Sequence, residues 1–237
     1  MMQQLKHDVF YIIYNRKYRL LILLTILLTA GLTIYTAVNV KIEEDILIHS
    51  FGNFRQFFWL LCAYMIADLL STDYHSQTFK NIIPKSSNRN DYYLSKIMTA
   101  TILGVFILMT HVITSWVVIG SVAAGMELNY FNIPYLFLGA FLSLFLFSAL
   151  LSFVITLSRK ETVTIGTGLG LVLLQILVEG FDPSISVHFP TMYVVSLDDL
   201  ISESLLTAFI SIGSYVIFTL LLFIGTIKIF RKQDLFI

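Results

Sequence analysis

Side chains that can catalyse, hold metals or carry protons are few in this chain, and they are scattered. Of its five histidines (His7, His49, His75, His111 and His188), only His111 falls inside a long apolar run. The single cysteine, Cys62, also lies in an apolar run and has no second thiol in the chain to pair with. No H-E-x-x-H, no G-x-S-x-G and no Cys/His cluster with metal spacing occurs. Nor is there a G-x-x-x-x-G-K-[ST] phosphate loop, so the chain does not bind ATP in that way. It reads as a non-enzyme with no metal site and no cofactor of its own.

Three polar residues remain for a different chemistry. Gln175 and Glu179 stand one helical turn apart in an apolar stretch. Such a pair by default marks a pathway through a membrane. The alternative places Glu179 at the outer interface beside Asp182. His111 is a third pathway candidate, weighed against the blander reading of a hydrogen-bonded core histidine. In Gly166-Thr167-Gly168-Leu169-Gly170, the G-x-x-x-G spacing of Gly166 and Gly170 points to close helix packing, within the chain or between subunits.

The elements that must position these residues follow from composition. The 237 residues are 57% apolar and 13% charged, with a mean hydropathy of +0.83. An ordinary globular domain is nearer half apolar and a quarter charged. Disorder is excluded by the high hydrophobicity. Lys and Arg number 15 against 15 Asp and Glu, so no basic excess suggests a nucleic-acid partner.

A membrane-crossing helix needs roughly 20 apolar residues. Five stretches qualify between successive charges: Leu20–Val40 (21 residues), Ile97–Met126 (30), Leu128–Ser158 (31), Thr162–Val178 (17) and Ser204–Ile227 (24). A sixth, Phe51–Leu70, is admitted if Arg55 and Asp68 reach toward the interfaces. Leu20–Val40 is too long for a cleaved signal and reads as retained. The expectation is an all-α integral membrane protein, a single domain over 1–237 with spans near 20–40, 54–72, 98–124, 134–157, 162–181 and 206–228. Thirteen of the 15 basic residues then share one side, leaving Lys41 and Arg55 opposite. Positive charge marks the cytoplasmic side, so both termini are expected there.

Three segments outside the spans carry pattern. Leu5, Val9, Ile12 and Ile13 fall at helical spacing, which suggests an amphipathic N-terminal helix along the cytoplasmic interface. In the cytoplasmic connection Ser71–Lys96, Phe79, Ile82 and Ile83 form an apolar triplet that Pro84 terminates, and Asn88 with Asp91 can cap a second helix. In the external connection Asp182–Glu203, Ser196 with Asp199 and the repeat Leu197, Leu200, Ile201, Leu205 suggest an amphipathic helix before the last span.

Thr78-Phe79-Lys80-Asn81-Ile82-Ile83-Pro84, with Arg89 and then Tyr92, Tyr93 and Lys96, resembles the cytoplasmic connection of type-2 permease subunits of ATP-binding-cassette exporters. Asp73 would be that motif's acidic residue, while Gln77 stands where the family usually has Gly. The resemblance implies a coupling helix seated on a separate ATPase, with Asp73, Thr78, Phe79, Lys80, Ile82, Ile83, Pro84 and Arg89 as its residues. It also implies a second permease, identical or paralogous, with ATP and Mg held by the partner ATPase. Composition and size look most like Gram-positive exporters of lantibiotic or toxin peptides in the bacterial cell membrane. A secondary transporter or channel, or a non-transporting immunity or scaffold protein, are the rival expectations.

Overall fold

The computed structural model describes residues 2–39, 46–75, 89–122, 133–181, 192 and 204–232. They form seven long helices: α1 (Met2–Tyr14), α2 (Arg16–Asn39), α3 (Ile46–His75), α4 (Arg89–Val122), α5 (Ile133–Ser158), α6 (Glu161–Phe181) and α7 (Leu205–Lys232). There is no strand among the described residues. Helices α2 to α7 are each long and apolar enough to cross a membrane. The chain is thus an all-α, multi-pass membrane protein. The expected external helix and residues Thr78, Phe79, Lys80, Ile82, Ile83 and Pro84 lie outside the described residues, whereas Asp73 and Arg89 fall on the ends of α3 and α4.

Local chemistry sets the breaks. Asn15 caps α2, its Oδ1 accepting the Lys17 backbone N–H at 3.0 Å. Arg159 ends α5 in the left-handed region (φ 54°), its N–H donating to the Ile155 carbonyl at 2.8 Å. Two residues therefore suffice to reverse the chain into α6, whose first turn carries Glu161 where the helix dipole favours a carboxylate.

Helix α2 has its exposed and buried faces reversed relative to a helix of a water-soluble bundle. On α2 the buried residues are Tyr18, Thr25, Thr29, Thr33 and Thr36, while Leu20, Leu23, Leu27 and Ile34 are exposed. Residues 25, 29, 33 and 36 recur at one helical face. In water this would hide hydroxyls and expose leucines. In lipid it is the stable arrangement, because polar groups must find partners inside and small hydroxyls let helices approach.

Helix α3 is the centre, packing against α2, α4, α5 and α6. It is the least hydropathic of the six, yet 72% of its apolar stretch is buried, against 11% for α7. Phe51, Phe54, Phe58, Trp59 and Cys62 are all almost fully buried. Arg55 and Asp68, expected to reach toward the interfaces, are instead 6% and 5% exposed. Encirclement by other helices is what makes a weakly apolar span tolerable. Helix α7 rests only on α5 and α4 among the described elements with substantial contact.

Glycines mark where backbones approach. A Cβ on Gly104 would lie 2.5 Å and 2.7 Å from the two Leu144 methyls, so α4 and α5 meet there. Gly168 faces Ala63 on α3, at 3.2 Å. Gly166 and Gly170, the residues in G-x-x-x-G spacing, have nothing within 4 Å. Within the described residues, then, Gly168 makes the close contact that α6 needs. Replacing Gly104 or Gly168 by Leu is expected to lower the melting temperature of the detergent-purified protein, through overpacking of about 1–3 kcal/mol. Gly166→Ala and Gly170→Ala should leave it unchanged or raise it, since Ala gains roughly 0.5–1 kcal/mol in a helix.

Candidate functional site

Polar side chains inside the bundle gather at two depths. The first group joins the ends of the helices nearest α1. The Lys96 ammonium on α4 donates to Asp8 Oδ1 on α1 at 2.9 Å, and both side chains are only 4% exposed. Asp68 on α3 accepts from the Tyr18 hydroxyl at 2.9 Å and the Lys17 ammonium at 3.3 Å, both on α2. Tyr93 on α4 bonds Thr156 on α5 at 2.7 Å, and its ring meets Phe230 of α7 edge-on at 4.4 Å. The start of α2, the end of α3, the start of α4 and the ends of α5 and α7 are thereby held at one end. Consecutive spans run in opposite directions.

Basic residues concentrate at this end. Lys6, Arg16, Lys17, Arg19, Lys96, Arg159, Lys160 and Lys228 belong to it, and Arg55 is the basic residue of the opposite half among the described residues.

The second group lies in that opposite half. Thr33 hydroxyl bonds Ser50 on α3 at 2.8 Å and Ser115 on α4 at 3.0 Å. Asn53 on α3 donates to Thr36 at 3.2 Å. Thr29 bonds His111 Nδ1 at 3.0 Å. The imidazole stacks on Phe54 with ring centroids 4.5 Å apart and meets Phe51 edge-on at 5.3 Å. His111 is fully buried and its Nε2 has no partner among the described residues. Thr29 and His111 are both 0% exposed. The geometry is that of a core histidine tying α2, α3 and α4 together.

Glu179 of α6 forms an ion pair with Arg55 of α3. Arg55 is buried, while the Glu179 side chain is 27% exposed. Gln175, one turn earlier on α6, is 4% exposed and its Oε1 has no partner among the described residues. Glu179 Oε2 and Arg55 Nε are likewise unpaired. Gln175 and Glu179 therefore share a face with Arg55, whereas His111 is bonded to α2 and stacked on α3. Among the described residues no three His, Cys, Asp or Glu side chains converge as a metal site would require.

Two features escape a reading by spans alone. The threonine face of α2 is visible in the spacing once a polar face is sought in an apolar run. The Asp8–Lys96 pair joins residues 88 apart, and no local pattern announces it. The chain matches no model of a known protein family. No curated protein is significantly similar to it either.

Breaking a buried ion pair by removing one partner costs about 3–5 kcal/mol. Asp8→Ala or Lys96→Ala alone is therefore expected to lower the melting temperature sharply. The double replacement Asp8→Leu with Lys96→Met should recover most of that loss. A thermal-shift cycle on the purified protein measures it.

Proposed function

We propose that this chain is the membrane-spanning permease subunit of an ATP-driven exporter. Its cargo would be amphipathic or antimicrobial peptides moved out of a bacterial cell, with a separate ATPase supplying the energy. The observation that carries this reading is the clamping of both stems of the connection between α3 and α4. One stem is tied to α2 through Asp68, Lys17 and Tyr18. The other is tied to α1, α5 and α7 through Lys96, Tyr93 and Phe230. That connection is the segment whose residues resemble a coupling helix. A push delivered there would reach four other helices as a rigid displacement, because packed interiors transmit strain rather than absorb it.

The concentration of Lys and Arg at the same end supports a cytoplasmic placement of both termini and of the connection. Asp73 and Arg89 then flank the ATPase seat, with Phe79 and Ile82 as its apolar contacts. A second permease, identical or paralogous, would complete the path. Gln175, Glu179 and Arg55 offer polar groups at the far end of α3 and α6 for a cargo leaving the bundle.

Purification of the tagged chain from its native membrane should bring down an ATPase bearing a phosphate loop. Phe79→Asp should cut its recovery roughly tenfold, about 1.4 kcal/mol, while the permease stays in the membrane at normal abundance. Recovery of no ATPase, or recovery unaffected by Phe79→Asp, excludes this reading. The carboxylate of Glu179 within α6, paired with Arg55 of α3, favours a gradient-driven transporter as the second reading. Transport that continues without ATP and collapses with the proton gradient would select it.

A further inference from the structure

Helix α1 has two faces that ask for different partners. Its inner face carries Asp8 and Ile12, 3% and 8% exposed, with Asp8 bonded to Lys96. Its outer face carries Phe10, Ile13 and Tyr14 at 57%, 55% and 73% exposure. The Phe10 and Tyr14 rings stack on each other, with centroids 6.1 Å apart and planes 15° from parallel. Lys6 is exposed one turn before Phe10, and Arg16 and Arg19 are exposed just beyond Tyr14. Leu20, Leu23, Leu24 and Leu27 of α2, also exposed, extend an apolar surface beyond the one-residue break at Asn15.

We infer that the outer face of α1 binds the anionic headgroups of one membrane leaflet through Lys6, Arg16 and Arg19, with Phe10, Ile13 and Tyr14 seated at the acyl boundary. Charge complementarity selects this occupant. Cations at both ends of an aromatic and aliphatic face match a layer that is negative above and apolar below. Continuity with the apolar surface of α2 places the face at the edge of the bilayer rather than in water. No exposed carboxylate interrupts it, because Asp8 points inward to Lys96. The inner face then links leaflet charge to the first turns of α4. Lipid composition thus bears on the stem of the connection between α3 and α4. This inference rests on membrane insertion and not on the exporter reading, and it survives if no ATPase is found.

The test uses the full chain in nanodiscs, carrying Ile13→Cys labelled with a small environment-sensitive fluorophore. Cys62 is fully buried, so the label goes to position 13. Quenching by a lipid with a nitroxide on its headgroup is compared between discs of phosphatidylcholine alone and discs with one-third phosphatidylglycerol. Quenching is expected to rise about twofold with phosphatidylglycerol, since each basic residue at such a surface contributes roughly a fivefold gain in affinity. The rise should vanish at high salt, which screens exposed charges. It should also vanish in Lys6→Gln/Arg16→Gln/Arg19→Gln. Equal quenching in the two discs, or a rise indifferent to salt, overturns the inference. Absence of quenching in both, as a face reserved for a protein partner would give, overturns it too. The salt titration needs no charge variant, so a poorly folding triple variant leaves the test intact.

Discussion

Everything in this bundle depends on the absence of water around its middle. A hydroxyl, amide or charge placed in hydrocarbon must be satisfied by the protein, at a cost of several kcal/mol if it is not. The hydroxyls of α2 answer that demand in two ways. Thr25 and Thr36 donate to the Leu21 and Leu32 carbonyls of their own helix. Thr29 and Thr33 bond to α4 and α3, and Thr36 also accepts from Asn53 of α3. Polar chemistry thus does in lipid part of what apolar burial does in water. The leucines are free to face outward because nothing is gained by hiding them.

The same demand explains where the charges go. Arg55, Asp68, Asp8 and Lys96 are all nearly fully buried, and each has an oppositely charged neighbour. Such pairs add little net stability against an apolar alternative, but they are specific. The pairing of Asp8 with Lys96 fixes where α1 docks on α4. Asp68 reads both Lys17 and Tyr18, and so α2 and α3 meet in one register. At the opposite depth Arg55 and Glu179 fix α6 against α3, while Gly168 lets the two backbones close up below them. Helix α2 is thus indexed against α3 at both ends, through Asp68 at one and Ser50 and Asn53 at the other.

How much of this was legible in residue order depends on the range of each signal. Five spans stand out from uninterrupted apolar length, a property of consecutive residues. The sixth, α3, was admitted by letting Arg55 and Asp68 reach toward the interfaces, because they interrupt its run. Those charges looked like residues reaching for the membrane surface. Their inward pairing depends on helices far away in sequence, which no window contains. The amphipathic period of α1 was legible, but its buried Asp8 was invisible without Lys96. Gly166 and Gly170 matched a packing pattern, while Gly168 between them makes the contact, because helix rotation about its axis is decided by neighbours and not by spacing. Gln175 and Glu179 were legible as an unusual pair, and Arg55 as the counterpart of Glu179 was not.

The burial of α3 also bears on how the bundle is made. Spans leave the ribosome in chain order, and a helix with an arginine and an aspartate near its two ends is a poor passenger for bare lipid. By the time α3 emerges, only α2 is there to greet it, offering Thr33 for Ser50 and Lys17 with Tyr18 for Asp68. The partner of Arg55 is synthesised more than a hundred residues later, on α6. Until then that guanidinium lacks its carboxylate, so the contact of α3 with α6 closes after its contacts with α2. Helix α7, with little of its surface buried, joins a core that is already complete.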